Sequence, residues 1–191
     1  AHMPAYMKRD DVEVIACADI DLEKAKKFAE DFKIPAAYSS VEELLANCKP
    51  DYVDVCTWPA AHASVAIAAA NAGCHVMCEK PMAINSAEAK KMLDAAKRTG
   101  KKLSIGYQTR QRADSRYLKK EAEDGTFGDI YFAKATAIRR RGVPTWGVFL
   151  NEYEQGGGPL IDIGTHALDL TMWCMDNYKP KYCVGTTYHK L

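Results

Sequence analysis

"CHVMCEKP", residues 74–81, reads as a strand running out of a buried sheet. Val76, Met77 and Cys78 form an unbroken apolar run, the mark of a strand covered on both faces. Glu79 and Lys80 then fall where the strand leaves the sheet, and Pro81 confines Lys80 to extended backbone, which fixes where its ammonium points. A charge in that place either escapes to water, the fate of most lysines, or faces a ligand. The Lys80–Pro81 bond is open to either isomer.

The segments on both sides of this strand are helical. "AHASVAIAAANAG" (61–73) is an alanine-rich helix ended by Gly73, and "AEAKKMLDAAKRTG" (87–100) is a helix capped at Asn85 or Ser86 and closed by Gly100. Further upstream come a buried strand "VEVIACADI" (12–20), an amphipathic helix "DLEKAKKFAEDF" (21–32), a short strand "PAAYSS" (35–40), a helix "VEELLANC" (41–48) and a strand "DYVDVCT" (51–57). The strand "KKLSIGYQ" (101–108) follows the second flanking helix. Strands separated by helices of this length imply right-handed crossovers and a parallel sheet, so residues 1–105 are expected to form a doubly wound α/β domain. After residue 108 the rhythm changes. "RADSRYLKKEAEDG" (112–125) is a charged helix, "GDIYFAKATAIRRR" (128–141) a long alternating strand suited to a half-exposed antiparallel sheet, and "GGGPLIDIGTHALDLTMWCM" (156–175) a glycine-rich loop entering a helix. Residues 106–191 are therefore expected to begin a second α/β domain that lacks its C-terminal part.

Composition narrows the function. The 191 residues are 48% apolar and 27% charged, an ordinary globular balance, and a formal net charge of +1 gives no reason to expect nucleic acid or an anionic membrane as partner. No apolar run approaches the ~18 residues that a membrane-spanning helix needs. The seven cysteines are odd in number, lie mostly in apolar runs and never form CxxC pairs, so reduced, buried thiols in a cytoplasmic protein are expected, with no metal site.

Ligands of open α/β sheets bind at the carboxyl ends of the strands. In a dinucleotide-binding sheet a glycine-rich turn after strand one carries the pyrophosphate, and an acidic residue about 20 positions later ends strand two and holds the ribose hydroxyls. Asp19 ends a strand in this way, and counting back about 20 positions overruns residue 1. The expectation is that "AHMPAYMKRDD" is the remainder of a first helix and that GxGxxG lies upstream. A strand-ending aspartate also serves as a helix cap, and that alternative stays open on the residues alone. The other strand ends carry Thr57, Trp58 and Pro59, then Glu79, Lys80 and Pro81, then Tyr107 and Gln108; turn chemistry or simple packing is the competing reading for each. In the glycine-rich segment Asp162, His166 and Asp169 are spaced to share one side of a helix, although Gly164 weakens the case for continuous helix there. A carboxylate beside an imidazole raises its basicity, as general base catalysis requires; a helix cap and an interior histidine are the alternative. A metal held by these three residues lacks a fourth ligand.

Together "GCHVMCEKPMA" and "GGGPLIDIGTHALDL" resemble the Gfo/Idh/MocA oxidoreductases, and the likeness runs through essentially all of the chain in the same order. The resemblance implies a Rossmann domain followed by an α/β domain with an open, mostly antiparallel sheet that often serves in homo-oligomerisation. It also implies hydride transfer between NAD(P) and a hydroxyl carbon of a sugar, polyol or derivative. On this likeness Lys80 lies near the nicotinamide and the reacting hydroxyl, Glu79 and Pro81 shape its turn, and Asp162 and His166 complete the catalytic centre with His166 as proton acceptor. Asp19 matches the residue on the adenosine ribose, which favours NAD over NADP. Thr57, Trp58 and His62 match the loop under the cofactor, where many relatives read Thr-Pro-Asn, and Gln108 and Arg110 match the turn beside the nicotinamide. Arg139, Arg140, Arg141 and Trp146 form a substrate-facing or subunit-facing surface, or a solvated basic strand end. Two other classes compete: a lyase forming a Schiff base on Lys80, and a cofactor-binding subunit without turnover.

Overall fold

In the computed structural model, which describes residues 2–138 and 140–188, two parallel ribbons carry the first half of the chain. One pairs β1 (Cys17–Ala18) with β2 (Ala37–Tyr38), and the other runs in the order β3 (Tyr52–Val55), β4 (His75–Cys78), β5 (Leu103–Ile105). The register sets Val55 beside Cys78 and Cys78 beside Ile105, so three strands end level and the residues after each share one edge. Every crossover is helical: α2 (Leu22–Phe32), α3 (Val41–Asn47), α4 (His62–Asn71) and α5 (Ser86–Thr99) each join consecutive strands, after a short α1 (Met3–Tyr6). This is the Rossmann-like α/β architecture expected from the alternation of periods.

Local chemistry sets the boundaries. The side chains of Asp21, Ser40 and Asn85 accept from the backbone N–H groups of Lys24, Glu43 and Glu88, satisfying donors that the first turns of α2, α3 and α5 leave free. Gly100 ends α5 in the left-handed region at φ 68°, where a side chain is disfavoured. The alanines of α4 let that helix lie close on the sheet: Ala63, Ala66, Ala69 and Ala70 are buried with Val55, Val76, Cys78 and Met92. Burying a side chain such as Met92 contributes roughly 1.5–3 kcal/mol.

Three expectations are corrected here. The strand foreseen over 12–20 is reduced to Cys17–Ala18, because no described neighbour pairs with residues 12–16. The strand foreseen over 128–141 forms no ladder among the described residues, and Tyr131 is 93% exposed. Alternation specifies two faces but supplies no partner for the backbone, and no antiparallel pair occurs among the described residues. Arg139 lies outside the described residues. Of the seven free cysteines only Cys74 and Cys78 are buried, while Cys56 and Cys183 are exposed. Among the described residues the second half carries a 3-10 turn (Gln108–Gln111), α6 (Ala113–Glu123), α7 (Glu152–Gln155), a π-helical turn (Leu160–Gly164) and α8 (Thr165–Met175), with α8 lying against α6. No helix among the described residues is long and apolar enough to cross a membrane.

Candidate active site

The turn after β4 is held from several directions. Glu79 accepts the backbone N–H of Lys80 at 3.0 Å through Oε2 and faces His2 Nε2 at 2.9 Å through Oε1. The other nitrogen of His2 meets Asp54 Oδ2 at 2.6 Å. Burial pulls the pKa of His2 down, but the hydrogen bonds and charges of Asp54 and Glu79 outweigh it and hold the ring above its usual value. A Cβ on Gly106, at the neighbouring strand end, would stand 3.3 Å from the Glu79 carboxylate, so a residue without a side chain leaves that carboxylate room. On the far side the carbonyl of Pro81 lies 2.7 Å from Nδ1 of the buried His62. The Lys80–Pro81 peptide is cis. With the turn gripped, Lys80 reaches into the second half of the chain, where Nζ donates to Asp162 Oδ1 at 2.7 Å and to the Asp162 carbonyl at 3.2 Å. The two side chains are 17% and 18% exposed, so the pair is largely withdrawn from water yet open on one side.

Asp162 arrives there because the glycine-rich segment approaches the turn more closely than side chains permit. Gly156 has φ 81°, and a Cβ on it would lie 2.6 Å from Cγ2 of Ile84, three residues beyond Pro81. The chain then winds through the π-helical turn, an element common at functional sites, before α8 begins. His166, in the first turn of α8, places Nδ1 3.3 Å from Thr109 Oγ1 and its ring edge-on to Tyr107. Its Nε2 has no hydrogen-bond partner among the described residues. Burial and then the positive charge of Lys80 lower the pKa of His166, against the weaker upward pull of Asp162, Glu79 and Asp169, so the ring is neutral near neutral pH. A neutral imidazole with one free nitrogen is suited to accept a proton.

The geometry brings Lys80, Asp162 and His166 together but reassigns their partners. Asp162 was expected to orient His166; it holds Lys80 instead, because the π-helical turn breaks the four-residue spacing on which that expectation rested. His62, expected under the cofactor, is 1% exposed, and its Nε2 lies 3.0 Å from the Thr57 carbonyl, so both ring nitrogens face backbone carbonyls. Arg110, expected beside the nicotinamide, forms a two-point ion pair with Asp169 at 2.8 and 2.5 Å and stacks over Trp173. Thr57, Trp58 and Gln108 are exposed at the strand ends, with the ring of Trp58 lying against Gly147. Asp19 is exposed, and its Oδ1 accepts from the backbone of Asp21 at 2.9 Å. Sequence reasoning missed His2, Asp54 and Thr109. Their neighbours in sequence were noticed, but nothing in one chain tells which side chains meet across 52 or 57 residues. His2, Asp54 and Cys56 bring possible metal ligands within 4.8 Å of one another, although both nitrogens of His2 already face carboxylates.

Residues 1–107 match the model of the oxidoreductase family with the NAD-binding Rossmann fold, and residues 115–190 match that of the GFO/IDH/MocA C-terminal domain. The chain belongs to this family of oxidoreductases. Among its relatives, D-glucoside 3-dehydrogenase of Escherichia coli K12 is 41% identical over 174 residues, which cover 91% of this chain and 50% of that protein. Human trans-1,2-dihydrobenzene-1,2-diol dehydrogenase is 31% identical, covering 92% of this chain and 52% of its own. The WlbA dehydrogenase of Bordetella pertussis, crystallised with NADH and UDP-GlcNAcA, superposes with a TM-score of 0.83 at 28% identity, over 91% of this chain and 55% of that one. The chain thus spans about half the length of the curated relatives it matches.

Proposed function

We propose that the protein is an NAD-dependent dehydrogenase acting on a CH–OH group of a sugar, polyol or derivative, with Lys80, Asp162 and His166 as its catalytic centre. The observation that carries this reading is the Lys80–Asp162 contact at 2.7 Å, with His166 held through Nδ1 by Thr109, at the edge where the parallel strands end. The residues fit the cofactor. Asp19 ends β1 with an exposed carboxylate whose Oδ2 has no partner among the described residues, free to accept ribose hydroxyls and charged so as to oppose a 2′-phosphate. Thr57, Trp58, Glu79 and Gln108 lie at the neighbouring strand ends, within the region such a cofactor occupies in this fold. NAD, when bound, supplies the acceptor for the hydride.

The protein's own groups handle the proton and the charge. Nδ1 of His166 faces the Thr109 hydroxyl, which leaves Nε2 to take the proton of the substrate hydroxyl. Lys80 donates a hydrogen bond to the same oxygen and stabilises the negative charge that develops there. Asp162 keeps the ammonium aimed until substrate arrives. A relative crystallised with NADH and levoglucosan, at 27% identity and a TM-score of 0.73, and the D-glucoside dehydrogenase support a carbohydrate substrate. The same reading divides the chain at residues 1–105 and 106–191, places the protein in the cytoplasm, where free thiols persist, and makes the full-length protein a homo-oligomer through its second-domain sheet.

Fluorescence titration of the protein, expressed from its complete coding sequence, tests the cofactor assignment. NADH should bind more tightly than NADPH, and Asp19→Ser should narrow the difference. Equal affinity for the two in the unsubstituted protein contradicts the role given to Asp19.

A further inference from the structure

The described residues hold one histidine that is almost wholly buried and yet is engaged at two strand ends at once. His62, at the start of α4, is 1% exposed. Its Nδ1 lies 2.7 Å from the carbonyl of Pro81, in the turn after β4, and its Nε2 lies 3.0 Å from the carbonyl of Thr57, in the turn after β3. A carbonyl only accepts, so each contact is a hydrogen bond when the nitrogen concerned carries hydrogen. With its hydrogen on Nδ1 the ring donates at the shorter contact, to Pro81, and holds the turn after β4. A packed apolar residue of similar shape would fill the space without tying either turn.

Pro81 is the residue next to Lys80; it is buried, and Met82 and Ala83 after it pack against the core. Glu79 fixes the backbone N–H of Lys80 from one direction, and the Pro81 carbonyl is fixed by His62 from the other. Between these two points only the Lys80 side chain projects toward Asp162. From this arrangement we infer that His62 is a positioning residue: through Nδ1–H, at the shorter of its two contacts, it holds the Pro81 carbonyl and so sets where Lys80 stands. The inference rests on the dehydrogenase reading, and it assigns to His62 a task that touches neither substrate nor cofactor.

Two substitutions separate the nitrogens. His62→Asn puts an amide N–H near the place of Nδ1 and keeps the bond to Pro81; His62→Gln puts it near the place of Nε2, facing Thr57, and gives up the bond to Pro81. Both are neutral, polar and shorter of one bond, so a purely structural histidine would be replaced about equally well by either. Turnover with NAD and a glycoside, NADH affinity by fluorescence, and thermal stability are measured on both variants in the protein expressed from its complete coding sequence. The expected result is a split. His62→Gln should lose about tenfold or more in kcat, since displacement of a reacting group by about 1 Å can cost 10²-fold, while its NADH affinity stays near that of the unsubstituted protein. His62→Asn, which keeps the bond to Pro81, should keep kcat within about threefold. Equal kcat in the two variants, at wild-type level or equally reduced, overturns the positioning role. Unsubstituted protein that turns over no hydroxylated substrate defeats the dehydrogenase reading itself, an outcome distinct from active wild type with indistinguishable variants.

Discussion

Lys80→Met keeps most of the length of the side chain and removes its charge, and the structure sets three separate consequences. First, Nζ makes two hydrogen bonds to Asp162, at 2.7 and 3.2 Å, and one of them is to the carboxylate. A hydrogen bond to a charged group is worth ~1.5–3 kcal/mol. Because both side chains keep 17–18% exposure, water can reach the abandoned carboxylate, which favours the lower part of that range, about 1.5–2 kcal/mol. For a domain of this size the corresponding fall in Tm is about 3–8 °C. Second, loss of a donor to a developing oxyanion lowers kcat by about 10²–10³, or roughly 2.7–4 kcal/mol of transition-state stabilisation. Third, Asp19 at the end of β1 is untouched, so NADH affinity should stay near the wild-type value. Thermal unfolding, initial rates and nicotinamide fluorescence measure the three independently. Turnover within about threefold of wild type, with a folded and cofactor-binding variant, would mean that Lys80 does not stabilise the developing oxyanion.

Other outcomes follow from particular contacts. His166 should titrate below its ordinary value of 6.5 in an NMR pH series, and in Lys80→Met its pKa should rise, because the ammonium that depresses it is gone while Asp162 remains. Since the base must be neutral, kcat/KM should fall as pH drops through the His166 pKa, with a plateau above it. The folded protein binds that proton more weakly than the unfolded chain, so the contribution of His166 to stability is also lost as pH falls below 6.5. Gly156→Ala brings a Cβ to 2.6 Å from Ile84 at φ 81°, which combines a left-handed penalty of ~1–2 kcal/mol with overpacking of ~1–3 kcal/mol. Chemical denaturation should show about 2–5 kcal/mol of lost stability, and adding Ile84→Ala should recover the overpacking share only. Unchanged stability in Gly156→Ala would mean that the glycine segment does not dock where Ile84 stands.

Much of the α/β half was legible because local chemistry and burial agreed there. Asn85 and Gly100 bound α5 as their side-chain properties require, and the apolar run ending at Cys78 left Lys80 at the sheet edge. What was not legible depended on partners remote in sequence. Residues 128–141 alternate like a strand, yet a strand exists only where another backbone pairs with it. Asp162 and His166 are spaced for one helical face, but the π-helical turn after Pro159 rotates the carboxylate toward a lysine 82 residues earlier. Arg110 sits at a strand-end turn where a ligand contact was expected, and Asp169 occupies it first. His62 was noticed for its place in the loop, whereas its burial between two carbonyls is a property of the folded chain alone.

The assignment of Lys80, Asp162 and His166 to one centre for hydride transfer from a hydroxylated carbon is open to an isotope experiment: the protein, expressed from its complete coding sequence, is mixed with NAD and a glucoside deuterated at each ring carbon bearing a hydroxyl, and the nicotinamide is examined for deuterium. The expected product is reduced cofactor carrying one deuterium, formed by the unsubstituted protein and about 10²-fold or more slowly by Lys80→Met. Failure to reduce NAD with any glycoside or polyol, or equal deuterium transfer by Lys80→Met, would contradict the assignment.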